Sequence, residues 1–183
     1  MEKFNHIELN NEVTKRGDNG FFKLEKDVEA IEEFLREVDF RTKKFSSEIK
    51  RLRYLVEENF YYNIFDKYIE DEILECLELA VNFKFEFKSY MAASKFYKDY
   101  ALKTNDKKQY LENFNQHVFI VAMYLADGDV ALAKELMISM LEQRLQPATP
   151  TFLNSGRSRR GELVSCFLLE VGDSLNSINY IDS

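Results

Sequence analysis

Apolar residues recur with a helical period over most of this chain. From Lys26 onward Val28, Ile31, Leu35 and Val38 share one face, while Glu29, Glu32, Glu33 and Arg36 take the other. Ser46 and Ser47 offer an N-cap for a second helix, with Ile49, Leu52, Leu55 and Val56 as its stripe. The cluster Phe60-Tyr61-Tyr62 with Ile64-Phe65 is expected to close that helix into the core. Ile69, Ile73, Leu74, Leu77 and Val81 predict a third helix. It carries Cys76 beside its stripe, and this thiol reads as packing. Phe83, Phe85 and Phe87 alternate with charged residues, the period of a brief strand or an extended linker.

Ser89 is placed to cap a helix bearing Met91, Ala92, Phe96, Tyr97 and Tyr100, and Thr104 to Lys108 reads as a turn. Tyr110, Phe114, Val118, Val121 and Leu125 then mark an almost wholly buried helix ended by Gly128. Asp129 starts another, with Leu132, Leu136, Met137, Met140 and Leu141. Residues 1–20 lack such a stripe, contain the turn Gly17-Asp18-Asn19-Gly20, and are expected to form a flexible arm holding His6. His117 reads as a hydrogen-bonded core or edge histidine. Two histidines this isolated make neither a zinc site nor a Ser/His/Asp arrangement.

Past Leu145 the pattern changes. Both prolines, Pro147 and Pro150, stand in a loop with Thr149, Thr151, Asn154, Ser155, Ser158 and Ser165, together with Gly156 and Gly161. Such a loop is either a polar connection or a cradle of hydroxyls and backbone N–H groups for phosphate or ribose oxygens. Arg157, Arg159 and Arg160 read as a wet turn. Leu163 to Val171 is apolar apart from Ser165, Cys166 and Glu170, and predicts a buried strand. Its cysteine is either an ordinary buried thiol or a redox thiol. Asp173-Ser174 precede Leu175, Ile178 and Ile181 at helical spacing, a helix start whose N–H groups could hold an anion or a sugar hydroxyl. One strand cannot make a sheet, so the chain reads as the front of something larger.

Composition narrows the classes. The 183 residues are 45% hydrophobic and 31% charged, ordinary for a globular protein. A net charge of −7 argues against broad duplex binding, so no direct DNA contact is expected. The longest apolar run falls far short of the ~20 residues that a bilayer requires, and no signal-peptide core or disulfide framework is visible. The expectation is a soluble cytoplasmic protein. There is no internal repeat and no glycine-rich phosphate or dinucleotide loop.

Pro147-Ala-Thr-Pro-Thr-Phe-Leu-Asn-Ser-Gly156, Gly161-Glu-Leu-Val-Ser-Cys-Phe-Leu-Leu-Glu170 and Gly172-Asp-Ser-Leu-Asn-Ser-Ile178 resemble the large (alpha) subunit of class I ribonucleotide reductases, above all the class Ib branch. Lys95-Phe-Tyr-Lys-Asp-Tyr-Ala-Leu-Lys-Thr104 with Tyr110-Leu-Glu112 resembles the helical N-terminal region of that branch. The resemblance implies a mainly α chain: a helical N-terminal domain, then the first strand and helix start of an incomplete ten-stranded α/β barrel. The expected divisions are an arm at 1–20, helical regions at 21–88 and 89–146, and the substrate loop with the barrel start at 147–183.

It also implies an enzyme reducing ribonucleoside diphosphates to deoxyribonucleotides with a thioredoxin- or glutaredoxin-type reductant. Cys166 would be the first-strand redox cysteine, a donor of a proton and reducing equivalents to the 2′ carbon. Thr149, with Thr151 as the alternative register, and Ser165 would hold the substrate diphosphate or ribose. Asp173 would bind an effector deoxynucleotide. No metal or cofactor is expected on this chain; the radical would come from a metal-containing small (beta) subunit, and dNTP or ATP would act as effectors. Further partners implied are the rest of the alpha barrel and a second alpha subunit. The family's other catalytic cysteines have no counterpart here, since no cysteine follows Cys166, and no full ATP-cone is evident. The chain alone is therefore expected to be inactive and completed by another polypeptide. A helical interaction module lending a strand to a partner sheet is the competing class. A thiol protein using Cys166 alone is weaker, lacking a CxxC pair or a nearby histidine.

Overall fold

The computed structural model describes residues 4–159, 161–166 and 168–182. Their regular structure is helical: α1 (His6–Val13), α2 (Glu25–Phe40), α3 (Glu48–Glu57), α4 (Glu70–Asn82), α5 (Tyr90–Lys95), α6 (Phe114–Ala126), α7 (Val130–Leu141), α8 (Thr149–Asn154) and α9 (Leu175–Asp182). A 3-10 turn spans Ile64–Asp66, and a π turn, Phe96–Tyr100, continues α5.

The centre is α6. Val118 to Met123 are buried without exception, the signature of a helix that is apolar all round and so must be enclosed. Asn113 and Gln116 cap its start reciprocally, each side chain accepting from the other's backbone N–H at 2.9 Å. Asp127 (φ 45°) and Gly128 (φ 104°) turn the chain at its end, so the left-handed cap begins one residue before the expected glycine. The side chain of Asp129 then accepts from Leu132 N to start α7.

α4 and α7 pack on α6, and α2 packs on α1 and α5. Asn115 joins α6 to the end of α4 by donating to the carbonyls of Ala80 (2.7 Å) and Phe83 (2.8 Å). The Phe83–Phe87 stretch is the extended-linker alternative: Phe85 stacks on Phe114 at 3.9 Å. Ser47 and Ser89 cap α3 and α5, and Cys76 is a core residue.

Two expectations fail. The first twenty residues include a helix rather than only a loose arm. His6 lies in α1, where Nε2 donates to Glu37 (2.8 Å) and Nδ1 shares a hydrogen bond with the Tyr90 hydroxyl (2.9 Å). α1 buries no residue fully and is held by polar bonds, so it has no apolar stripe to announce it. The buried strand at Leu163–Val171 does not form either: its described residues are irregular and, apart from Leu163, exposed. Among the described residues there are only isolated β-bridges, so nothing satisfies the backbone of an added strand.

Gly156 sets how closely the 147–163 loop meets the core. Its φ is +78°, and a Cβ there would stand 2.6 Å from Ile120 Cγ1 and 3.1 Å from the Ile120 carbonyl oxygen. Gly156→Ala is expected to cost about 2–4 kcal/mol, combining left-handed strain with overpacking. Urea unfolding measures this, and a loss well under 1 kcal/mol would show that the loop is not seated on α6.

Candidate functional site

The polar loop folds as α8 and the turn after it, anchored from beneath by one buried carboxylate. Glu112 has a relative exposure of only 1%. It accepts hydrogen bonds from Leu102 N (2.7 Å), His117 Nδ1 (3.0 Å), an Arg157 terminal nitrogen (3.0 Å) and the buried Tyr61 hydroxyl. The Nε2 of His117 donates to the Phe152 carbonyl of α8 at 2.8 Å. Both imidazole nitrogens are therefore engaged. The same Arg157 nitrogen also donates to the Tyr100 carbonyl.

Burial pushes the Glu112 carboxyl up, but the charges of His117 and Arg157, with hydrogen bonds from His117 and Tyr61, bring it down to about 2. Burial first, and the Glu112 charge second, drive the Tyr61 phenol far above its ordinary range. Glu112 thus stays an acceptor and Tyr61 a donor. Backbone bonds complete the anchor: Tyr62 N donates to the Gly156 carbonyl and Ser158 N to the Phe60 carbonyl, each at 3.0 Å.

On this anchor the expected site residues divide. Thr151 is half-buried and donates to the Leu163 carbonyl at 2.9 Å. Asn154 donates to the Glu162 carbonyl at 2.8 Å, so α8 holds the start of the cysteine segment. Thr149 is exposed at the first turn of α8, accepting only a long 3.4 Å bond from the Tyr100 hydroxyl. Ser165 and Cys166 are exposed neighbours, Oγ and Sγ 3.7 Å apart. Asp173 is exposed one residue before Ser174, whose hydroxyl accepts from Ser177 N at the start of α9. Of the three arginines read as wet, Arg159 is exposed, Arg157 is largely buried in the anchor, and Arg160 lies outside the described residues. Among the described residues no group of three or more His, Cys, Asp or Glu could hold a metal ion.

Tyr61 is in the core as expected, but nothing in the sequence brought it together with Glu112 and Arg157. The signal available was an acid, Glu112, directly after the apolar Leu111 and close before α6. Comparison with known proteins places this anchor in a family. A model described as ribonucleotide reductase N-terminal matches residues 6–85, and one described as ribonucleotide reductase, all-alpha domain, matches residues 86–160. The chain belongs to the ribonucleotide reductase family.

It is 49% identical over 177 residues, 96% of its length, to the ribonucleoside-diphosphate reductase NrdEB subunit alpha of Bacillus subtilis. A second alpha subunit from that organism is 49% identical over 175 residues, and one from Mycoplasma pneumoniae is 41% identical over 175 residues. The chain spans 16%, 25% and 24% of these relatives, their N-terminal part. Among the described residues no helix is long and apolar enough to cross a membrane.

Two measurements test this geometry. The folded state holds the Glu112 carboxyl below its ordinary 4.5, so its stabilisation is complete above about pH 4.5 and is lost as pH falls towards 2. Glu112→Gln should cost about 3–5 kcal/mol at neutral pH, by leaving the largely buried Arg157 without its counter-charge, and flatten that acid limb. An unchanged acid limb would remove Glu112 from its central place. Separately, an aqueous thiol reagent should label Cys166 quickly and Cys76, buried in the core, only on unfolding. Equal rates would contradict the exposed cysteine segment.

Proposed function

We propose that this chain supplies the N-terminal part of a class Ib-type ribonucleoside-diphosphate reductase alpha subunit, and that its 161–174 segment enters an α/β barrel made by the remainder of that subunit. The observation that carries the reading is the consecutive match of two ribonucleotide reductase domains, with Cys166 presented to solvent directly beyond them.

In this reading Cys166 is the redox thiol that gives a proton and reducing equivalents to the 2′ carbon of a ribonucleoside diphosphate, and pairs with a second cysteine of the barrel. Thr149 and Ser165 hold the diphosphate or ribose. The exposed Thr149 hydroxyl supports that register, because the Thr151 hydroxyl already spends its hydrogen on Leu163. Asp173, open at the start of α9, receives a sugar hydroxyl of a deoxynucleotide effector. A separate, metal-containing beta subunit supplies the radical, a thioredoxin- or glutaredoxin-type protein restores the thiols, and a second alpha subunit completes the effector site.

The isolated chain should show no reductase activity, and a polypeptide carrying the missing barrel should restore it. In that restored complex Cys166→Ser should abolish turnover with a physiological reductant while leaving assembly intact. Normal turnover by the mutant would overturn the assignment of Cys166.

A further inference from the structure

Among the described residues the acidic chain presents a basic concavity beside the π turn. From the end of the π turn the backbone runs through Lys103 into the Thr104–Lys108 turn and borders an open, shallow hollow of about 400 Å³. Lys98, Lys103, Lys107 and Arg157 line it. Among the described residues Lys98, Lys103 and Lys107 form no ion pair with a carboxylate. One acid, Asp99, shares the lining and pairs with Lys95 (2.6 Å), while the neighbouring Asp106 pairs with Lys108 (3.5 Å).

The inner wall adds a guanidinium. Arg157 reaches Glu112 at 3.0 Å, a carboxylate already shared with Leu102 N, His117 and the Tyr61 hydroxyl. The Nε of Arg157 is buried without a hydrogen-bond partner. Lys103 is held in place, its ammonium donating to the Lys98 carbonyl at 2.7 Å and lying 5.5 Å from the centre of the Tyr110 ring. Arg41 lies 5.2 Å from the centre of that ring.

We propose that this concavity binds a compact condensed phosphate, either free or as the phosphate chain of a larger ester. Converging lysines provide point charges for phosphate oxygens. An acidic peptide fits less well, because peptide grooves rely on apolar anchor pockets. Here the apolar members, Ala101 and Leu102, are buried and leave a polar accessible wall. Burial pushes the Lys103 ammonium down; Asp99 opposes this, while Arg41, Lys107 and Arg157 act with burial. A bound anion relieves that crowding.

The test is titration of the full chain with sodium tripolyphosphate at low salt, read by backbone amide NMR shifts. Saturable shifts confined to residues 98–108 and Arg157, with affinity falling as salt rises, are expected. A nucleoside triphosphate read at the same residues separates the sources: equal affinity identifies the phosphate chain as the whole ligand, and tighter binding an ester. The Lys103→Gln/Lys107→Gln double variant should bind at least tenfold more weakly with an unchanged melting curve. If that variant unfolds, the exposed Lys98→Gln should still weaken binding severalfold. Absence of saturable shifts with both ligands, or wild-type affinity in the folded variants, overturns the proposal.

Discussion

A carboxylate with 1% of its surface exposed is tolerated only when its oxygens are filled, and Glu112 fills them from four separate stretches of chain. Tyr61 comes from beyond α3, Leu102 from beyond the π turn, His117 from α6 and Arg157 from beyond α8. Removing any one leaves charge or a polar group stranded in a medium where that is expensive. The arrangement therefore fixes relative positions more than it adds net stability. Hydrophobic burial around α6 supplies the latter.

This division of labour explains the loop. α8 has six residues, too short to persist by its own propensity. It is held instead by the ring of Phe152 in the core, by the His117 bond to the Phe152 carbonyl, and by a glycine that lets the backbone lie against Ile120. Thr151 and Asn154 pass that order on to residues 162–163. Beyond that point the described residues up to Gly172 are irregular and exposed.

What the sequence disclosed follows the same physics. Long stripes in α2, α3, α4, α6 and α7 could be read, because burial of one face repeats every 3.6 residues whatever the partner. Cys76 and His117 could be read as core residues, since each sits in an apolar helix. α1 could not, because the bonds that His6 makes to Glu37 and Tyr90 join it to distant stretches of chain and leave no local period. Nor could the anchor: Tyr61 and Arg157 reach Glu112 across 51 and 45 residues, and no local period records such a meeting. The segment around Cys166 reads as a strand by composition, yet a strand needs a neighbour, and composition does not say whether one is present. Thr149, Ser165, Cys166 and Asp173 are proposed on the family motifs, not on any geometry that the helical domain imposes.

Val164, Leu168, Leu169 and Val171 stand in water along an irregular, proline-free ribbon. Such ribbons are sticky: two of them align readily, and each copy satisfies the backbone of the other. Left uncovered, this stretch makes concentrated solutions of the chain prone to clumping. Exposed apolar side chains on irregular backbone thus carry a colloidal hazard, which any covering surface would remove.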